Sequence, residues 1–94
     1  MATYLLFGNY SQDALKNISA KRSEKARELI EKYGGSVKAG YALLGKNDLV
    51  IVLDAPDTAA VMKISVGLSK MTGIGFTSAP AVSFEEFDQY MEEV

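Results

Sequence analysis

The sequence predicts an α+β domain of the ferredoxin-like, split β-α-β kind, with elements in the order β-α-β-β-α-β and a further C-terminal helix. Three observations carry this expectation. Strand-type and helix-type patterns alternate along the chain in that order. A short polar knot, Gly45-Lys46-Asn47, separates two strand candidates and reads as a hairpin turn. Ser83-Phe84-Glu85-Glu86 has the form of a capping box that opens one more helix after the fourth strand.

The elements follow in turn. Ala2–Gly8 (ATYLLFG) is rich in strand formers. The polar stretch NYSQDALKNIS leads from it into the first clear helix, where Ala26, Leu29, Ile30 and Tyr33 form one apolar stripe at i, i+3, i+4 and i+7. Lys25, Arg27, Glu28, Glu31 and Lys32 occupy its opposite face, and Gly34-Gly35 ends it. Residues 36–44 and 48–55 are the hairpin strands. Pro56-Asp57 then starts a second helix, about 58–71, with Val61, Ile64, Leu68 and Met71 on one side and Gly73 as its stop. Met62 and Met71 read as core filler. Residues 74–82 form a fourth strand, which Pro80 suits to a sheet edge. In the last helix Phe84, Phe87, Met91 and Val94 share a stripe, with Glu86 expected to reach back to the Ser83 amide. Strands one and three are expected to lie in the middle of the sheet, parallel to each other, with both crossover helices on one face.

The 94 residues suit a single domain, 1–94, with no internal linker or repeat. A net charge of −2 and a pI near 5.0 argue against a nucleic-acid module, which needs a basic face. No apolar run is long enough to cross a bilayer, and MATYLLFGNY lacks the basic start of a secretory signal. With no cysteine there is no disulfide framework, and a cytoplasmic location is expected. Histidine, cysteine and tryptophan are all missing. Thiolate nucleophiles, Ser-His-Asp triads, Cys/His zinc sites and His- or Cys-ligated haem are thereby excluded, and no metal or other cofactor is expected. Only tyrosine, lysine, arginine and carboxylates remain for proton transfer. GGSVKAG fails both the Walker and the dinucleotide spacings.

The candidate site residues are Tyr4, Tyr41, Asp48 and Ser65. Tyr4 and Tyr41 lie on the first two strands, where a phenol faces either a cavity or a wet edge of the core. Asp48 closes the hairpin turn. Asx turn chemistry accounts for Gly45, Asn47 and Asp48 together, and a general base or ligand anchor is the competing reading. Ser65 borders the apolar stripe of the second helix and is placed to close a pocket between helix and sheet. Arg22, at the start of the first helix, reads as a solvated charge or an anion anchor, and Lys63 as a solvated one. Asp54 ends its strand and Asp57 caps the next helix. The pair alone is too few oxygen ligands for a hard metal.

The segments FGNYSQDALKNISAKRSEKA, IEKYGGSVKAGYALLGKNDLVIVLDAPD and LSKMTGI resemble the GYD-domain proteins over nearly the whole chain. The resemblance implies a ferredoxin-like fold related to the dimeric α+β barrels, and it implies no particular activity. In the Gly-x-Tyr-Asp signature, here Gly45-Lys46-Asn47-Asp48, Asn47 stands in place of the tyrosine. Any role that needs that phenol is absent or moved.

Two functions compete, beside a third reading as a purely structural oligomer component. One is a dimeric small-ligand-binding, regulatory or interaction module for a small apolar ligand. The other is a cofactor-independent enzyme of the dimeric-barrel kind, an isomerase or monooxygenase acting on a small aromatic or keto substrate, and the missing histidine weakens it. A homodimer is expected on physical grounds. Leu49, Ile51 and Leu53 alternate with Val50 and Val52, and Tyr4 and Leu6 with Leu5 and Phe7, so both central strands are apolar on both faces. With both helices on one face, the other needs a cover: a second copy, or the terminal helix, which at about three turns is short for a whole sheet face.

Overall fold

Two strands apolar on both faces lie at the centre of the sheet. The structure, a computed structural model, describes residues Met1–Val94. Its elements are β1 (Ala2–Tyr10), α1 (Gln12–Lys16), α2 (Ala20–Lys32), β2 (Ser36–Ala42), β3 (Leu49–Ala55), α3 (Thr58–Thr72), β4 (Ile74–Ala81) and α4 (Phe84–Met91). The strand order is β2-β3-β1-β4, so the fold is the expected ferredoxin-like one, with β4 and its Pro80 at an edge.

The expected parallel pairing of the central strands is wrong: β1 and β3 run antiparallel, Leu6 opposite Ile51 and Tyr4 opposite Leu53. The connections require this. A right-handed crossover returns β2 in the direction of β1, and the hairpin then reverses the chain, so β3 must oppose β1. All three pairings in the sheet are antiparallel. Between Val37 and Ala39 the β2–β3 register shifts, a bulge that leaves Lys38 without a partner on β3.

Helices α2 and α3 cover one face. Leu6, Leu53 and Ala55 from the sheet meet Ile30 from α2 and Ala60, Val61, Ile64 and Leu68 from α3 in one core. The expected stripe of α2 packs against it through Ala26, Leu29 and Tyr33. Local signals set the ends of the helices. The Asp57 carboxylate accepts from the Ala60 amide at 2.8 Å, which caps α3, and Gly73 ends it with φ of 76°. At the end of α2, Gly34 takes φ of 83°. At Gly35 a Cβ would come within 2.8 Å of the Ile30 side chain, so close packing excludes any larger residue.

Four local expectations are corrected. The stretch read as a polar connection contains α1, where Ser11 accepts from the Ala14 amide at 3.0 Å and Ala14 is buried. One short turn is below the length at which periodicity is visible. Met62 and Met71 are exposed, not core filler. Met62 neighbours the buried Val61 on the wrong side of the stripe, and Met71 lies in a surface groove beside Lys25, Leu29 and Tyr33 of the α2 segment. β1 extends to Tyr10, while β2 stops at Ala42. At α4, Ser83 accepts from the Glu86 amide at 3.1 Å as expected. The Glu86 carboxylate, however, faces the Ser83 hydroxyl at 3.5 Å instead of its amide.

The other face of the sheet is open. Thr3, Leu5 and Phe7 of β1 lie beside Asp54, Val52 and Val50 of β3, with Ala39 and Tyr41 of β2 and Thr77 and Ala79 of β4 in register around them. Helix α4 does not cover them. None of its residues is buried, and it makes no substantial packing contact with any other element. The chain is only 18 Å deep along its shortest axis, the depth of a sheet and one helix layer, to which a third layer would add about 10 Å.

Candidate functional site

The four candidate residues separate into three places. Tyr4 points from the sheet toward the helices, and Ser65 lies at the flank of α3. Together they line a cleft of about 330 Å³ between α3 and the edge strand β4. Thr58 and Ser78 add two more hydroxyls, and Val61, Met62, Val66 and Pro80 supply its apolar walls. No charged residue lines it, so the cleft suits an uncharged molecule.

Tyr41 belongs elsewhere. It pairs with Val50 and so shares the open face of the sheet, 61% exposed. Neighbouring strand residues point to opposite faces, so the parity of the register separates Tyr41 from Tyr4. Tyr4 therefore lines the cleft beside α3, whereas Tyr41 lies on the open side and borders a second cavity described below.

Asp48 ties the hairpin loop to the end of β1 and closes the loop on itself. Its carboxylate accepts from the Tyr10 amide at 2.8 Å, its own amide donates to the Gly8 carbonyl at 2.9 Å, and its carbonyl accepts from the Leu43 amide at 2.8 Å. Asn47 adds a side-chain bond, its carbonyl oxygen accepting from the Asn9 amide group at 3.3 Å. Asn47 thus secures the loop by a hydrogen bond where the signature has a tyrosine. Gly8 is needed at this junction, since a Cβ there would fall 2.9–3.0 Å from Ile74, Phe76 and Leu49.

Asp54 and Asp57 are also committed, to different ends. Asp54, on the open face, accepts from the Thr3 hydroxyl at 2.8 Å and pairs with Lys38 at 3.3 Å. These contacts, the Thr3 hydrogen bond foremost, hold its carboxyl below the ordinary carboxylate range. The bulge in β2 is what turns Lys38 toward it. Lys63 is exposed beside the Tyr33 ring, 5.9 Å from its centroid.

A second cavity, of about 220 Å³, lies at the other end of the helix-covered side, beneath the first turn of α2 and the last of α3. Tyr10, Arg22, Gly40, Leu49, Ile51 and Phe76 are among its walls. Arg22 was visible in the sequence as an anion candidate, but its cavity was not. The signal that marks the cavity is Gly40, a glycine at a helix-facing position of a strand, where a side chain would otherwise fill the layer.

Solved structures with this fold include the crystal structure of the Mycobacterium tuberculosis leucine response regulatory protein LrpA, with TM-score 0.57 and 10% identity over 87% of this chain and 51% of that one. A crystal structure of a glutamate-to-alanine mutant matches with the same score and identity, over 87% of this chain and 50% of that one. The chain therefore spans about half the length of these solved chains, and at this identity the likeness concerns the fold. No curated protein matches the sequence. The GYD domain profile matches residues 4–91, nearly every residue from the first strand to the end of the last helix. By that match the chain belongs to the GYD-domain family.

Proposed function

We propose that the protein is a homodimer, packed sheet against sheet, which acts as a small-ligand-binding regulatory module. The observation that carries this reading is the open face. Leu5, Phe7, Val50 and Val52 form an apolar centre on the two middle strands, and nothing in the chain lies over it. The accessible surface supports the reading in magnitude. It is 6501 Å², whereas a folded monomer of 10.2 kDa averages about 5300 Å². The excess of about 1200 Å² is more than the roughly 800 Å² that each partner buries in a standard interface.

A twofold axis through the open face would bring each apolar centre onto its own copy, an arrangement that needs no second surface to evolve. Thr3, Lys38 and Asp54 would form a polar rim at one end. The stripe of α4, with Phe84 and Phe87 exposed, would pack on the second copy. That half of a leucine response regulatory protein has this fold supports reading the module as responsive to a small molecule.

Sedimentation equilibrium at micromolar concentration, with native mass spectrometry of freshly purified protein, tests this. The expected result is twice the protomer mass, with Phe7→Asp shifting the population to monomer. A concentration-independent monomer of 10.2 kDa would overturn the dimer.

A further inference from the structure

We infer that the cavity under Arg22 is a binding site for a small monocarboxylate with an apolar body. The inference rests on the small-ligand reading above and supplies the chemistry of the ligand.

The argument begins with the arginine. Arg22 is half-buried in the first turn of α2, yet it has no carboxylate partner, since the chain's one salt bridge joins Lys38 to Asp54. One guanidinium nitrogen donates to the Ala14 carbonyl at the end of α1, and the group lies beside the Tyr10 ring, 5.8 Å from its centroid. Those contacts fix its orientation while leaving most of its five N–H donors unused. A guanidinium held in this way presents a planar fork, which matches the two oxygens of a carboxylate.

The cavity supplies the rest. No acidic residue and no second basic residue lines it, so the site offers one positive charge, which a monoanion balances and a phosphate dianion exceeds. Its walls are mostly apolar, with Leu49, Ile51, Leu68 and Phe76 prominent. At 220 Å³ it has room for about seven water volumes, the size of a single-ring or short-chain acid. Thr72 contributes no donor, because its hydroxyl already donates to the Leu68 carbonyl at 2.7 Å and accepts from the Ile74 amide. The hydroxyls of Tyr10, Ser23 and Tyr41 are the other polar side-chain groups among the lining residues, so the selection of charge falls to Arg22.

Gly40 keeps the space open. It pairs with Ile51 on the helix-facing side of the sheet, and a Cβ built on it would meet only the Val50 carbonyl, at 3.9 Å. A side chain there fits the backbone and would occupy the cavity.

The test is a titration of the protein with benzoate, phenylacetate and hexanoate, and with benzamide and phenylacetamide as neutral counterparts. Amide chemical shifts of Gly40 and the Arg22 side-chain N–H report the binding. Saturable shifts are expected for carboxylates, at least tenfold tighter than for the matching amides. Arg22→Gln should abolish that preference, and Gly40→Leu should weaken carboxylate binding tenfold or more while Arg22 stays in place. Equal binding of amides and carboxylates, a preference that survives Arg22→Gln, displacement by equimolar inorganic phosphate, or no saturable shift with any carboxylate at millimolar concentration would each overturn the inference. Sedimentation of the same samples separates the two readings. A monomer that still selects carboxylates fails the dimer and upholds this site, whereas a dimer that binds none fails this site alone.

Discussion

The two faces of the sheet carry similar side chains and meet different surroundings. On the helix-covered face Leu6, Leu53 and Ala55 are fully buried against Ile30, Ile64 and Leu68. On the open face Leu5, Phe7, Val50 and Val52 are only half-buried, sheltered by their strand neighbours alone. An apolar side chain stabilises a fold in proportion to the area it loses to water, so the same residue types contribute unequally on the two faces of one protomer. On the open face that contribution is only partly realised within the protomer.

That difference is open to direct measurement. Leu53→Ala, on the closed face, should cost about 2–5 kcal/mol in denaturant unfolding, because it leaves a cavity in a core that two helices hold rigidly. If it costs under about 1 kcal/mol, the closed face is not the stabilising one. Val52→Asp, one residue away on the open face, should weaken self-association at least about 100-fold, or ~2.7 kcal/mol, as read by sedimentation. The stability of the isolated protomer should change by under about 1 kcal/mol. A comparable loss of protomer stability would mean that the open face is part of the monomer's own core.

Helix caps sharpen the contrast on a smaller scale. Asp57→Ala removes the cap of the packed helix α3 and should lower unfolding free energy by about 1 kcal/mol. Ser83→Ala removes the equivalent cap of the unpacked α4, and the unfolding free energy of a monomeric variant such as Val52→Asp should be insensitive to it, because α4 frays on its own.

The smallest expected effect is a pH dependence on the open face. The Asp54 carboxyl is depressed by Thr3 and Lys38, so it adds stability at pH above its unfolded value, near about 4. That contribution is lost as pH falls through the folded value. Thr3→Val removes the leading cause of the shift and should flatten the acid limb of the unfolding curve below pH of about 4. An acid limb unchanged by Thr3→Val would show that the hydrogen bond does not set the titration.

The functional candidates divide along the same lines. Asp48 reads from the sequence as a turn residue with a minor claim to chemistry, and it makes two hydrogen bonds to β1 and one within the hairpin. Tyr4 and Ser65 are 61 positions apart in the sequence and share a cleft only because β1 and α3 pack together. Tyr41 shows the limit of strand alternation as a guide. Alternation separates the two faces of β2, but the bulge at Lys38 moves every later residue across to the other face, and a bulge has no signature in SVKAGYA.

What the sequence determined by itself is what neighbouring residues settle among themselves. The stripe of α2, the caps at Asp57 and Ser83 and the stop at Gly73 all depend on hydrogen bonds and side-chain periodicity within a few positions. The alternation of Leu49 to Leu53 likewise states, without any coordinates, that both faces of β3 are apolar. The tertiary structure alone decided which groups from distant segments meet: the antiparallel direction of β1 against β3, the position of α4 clear of the open face, and the cavity that joins Arg22 to Gly40. Those depend on strand direction, on register and on the volume left between packed layers, and each of these is a property of the whole chain folded at once.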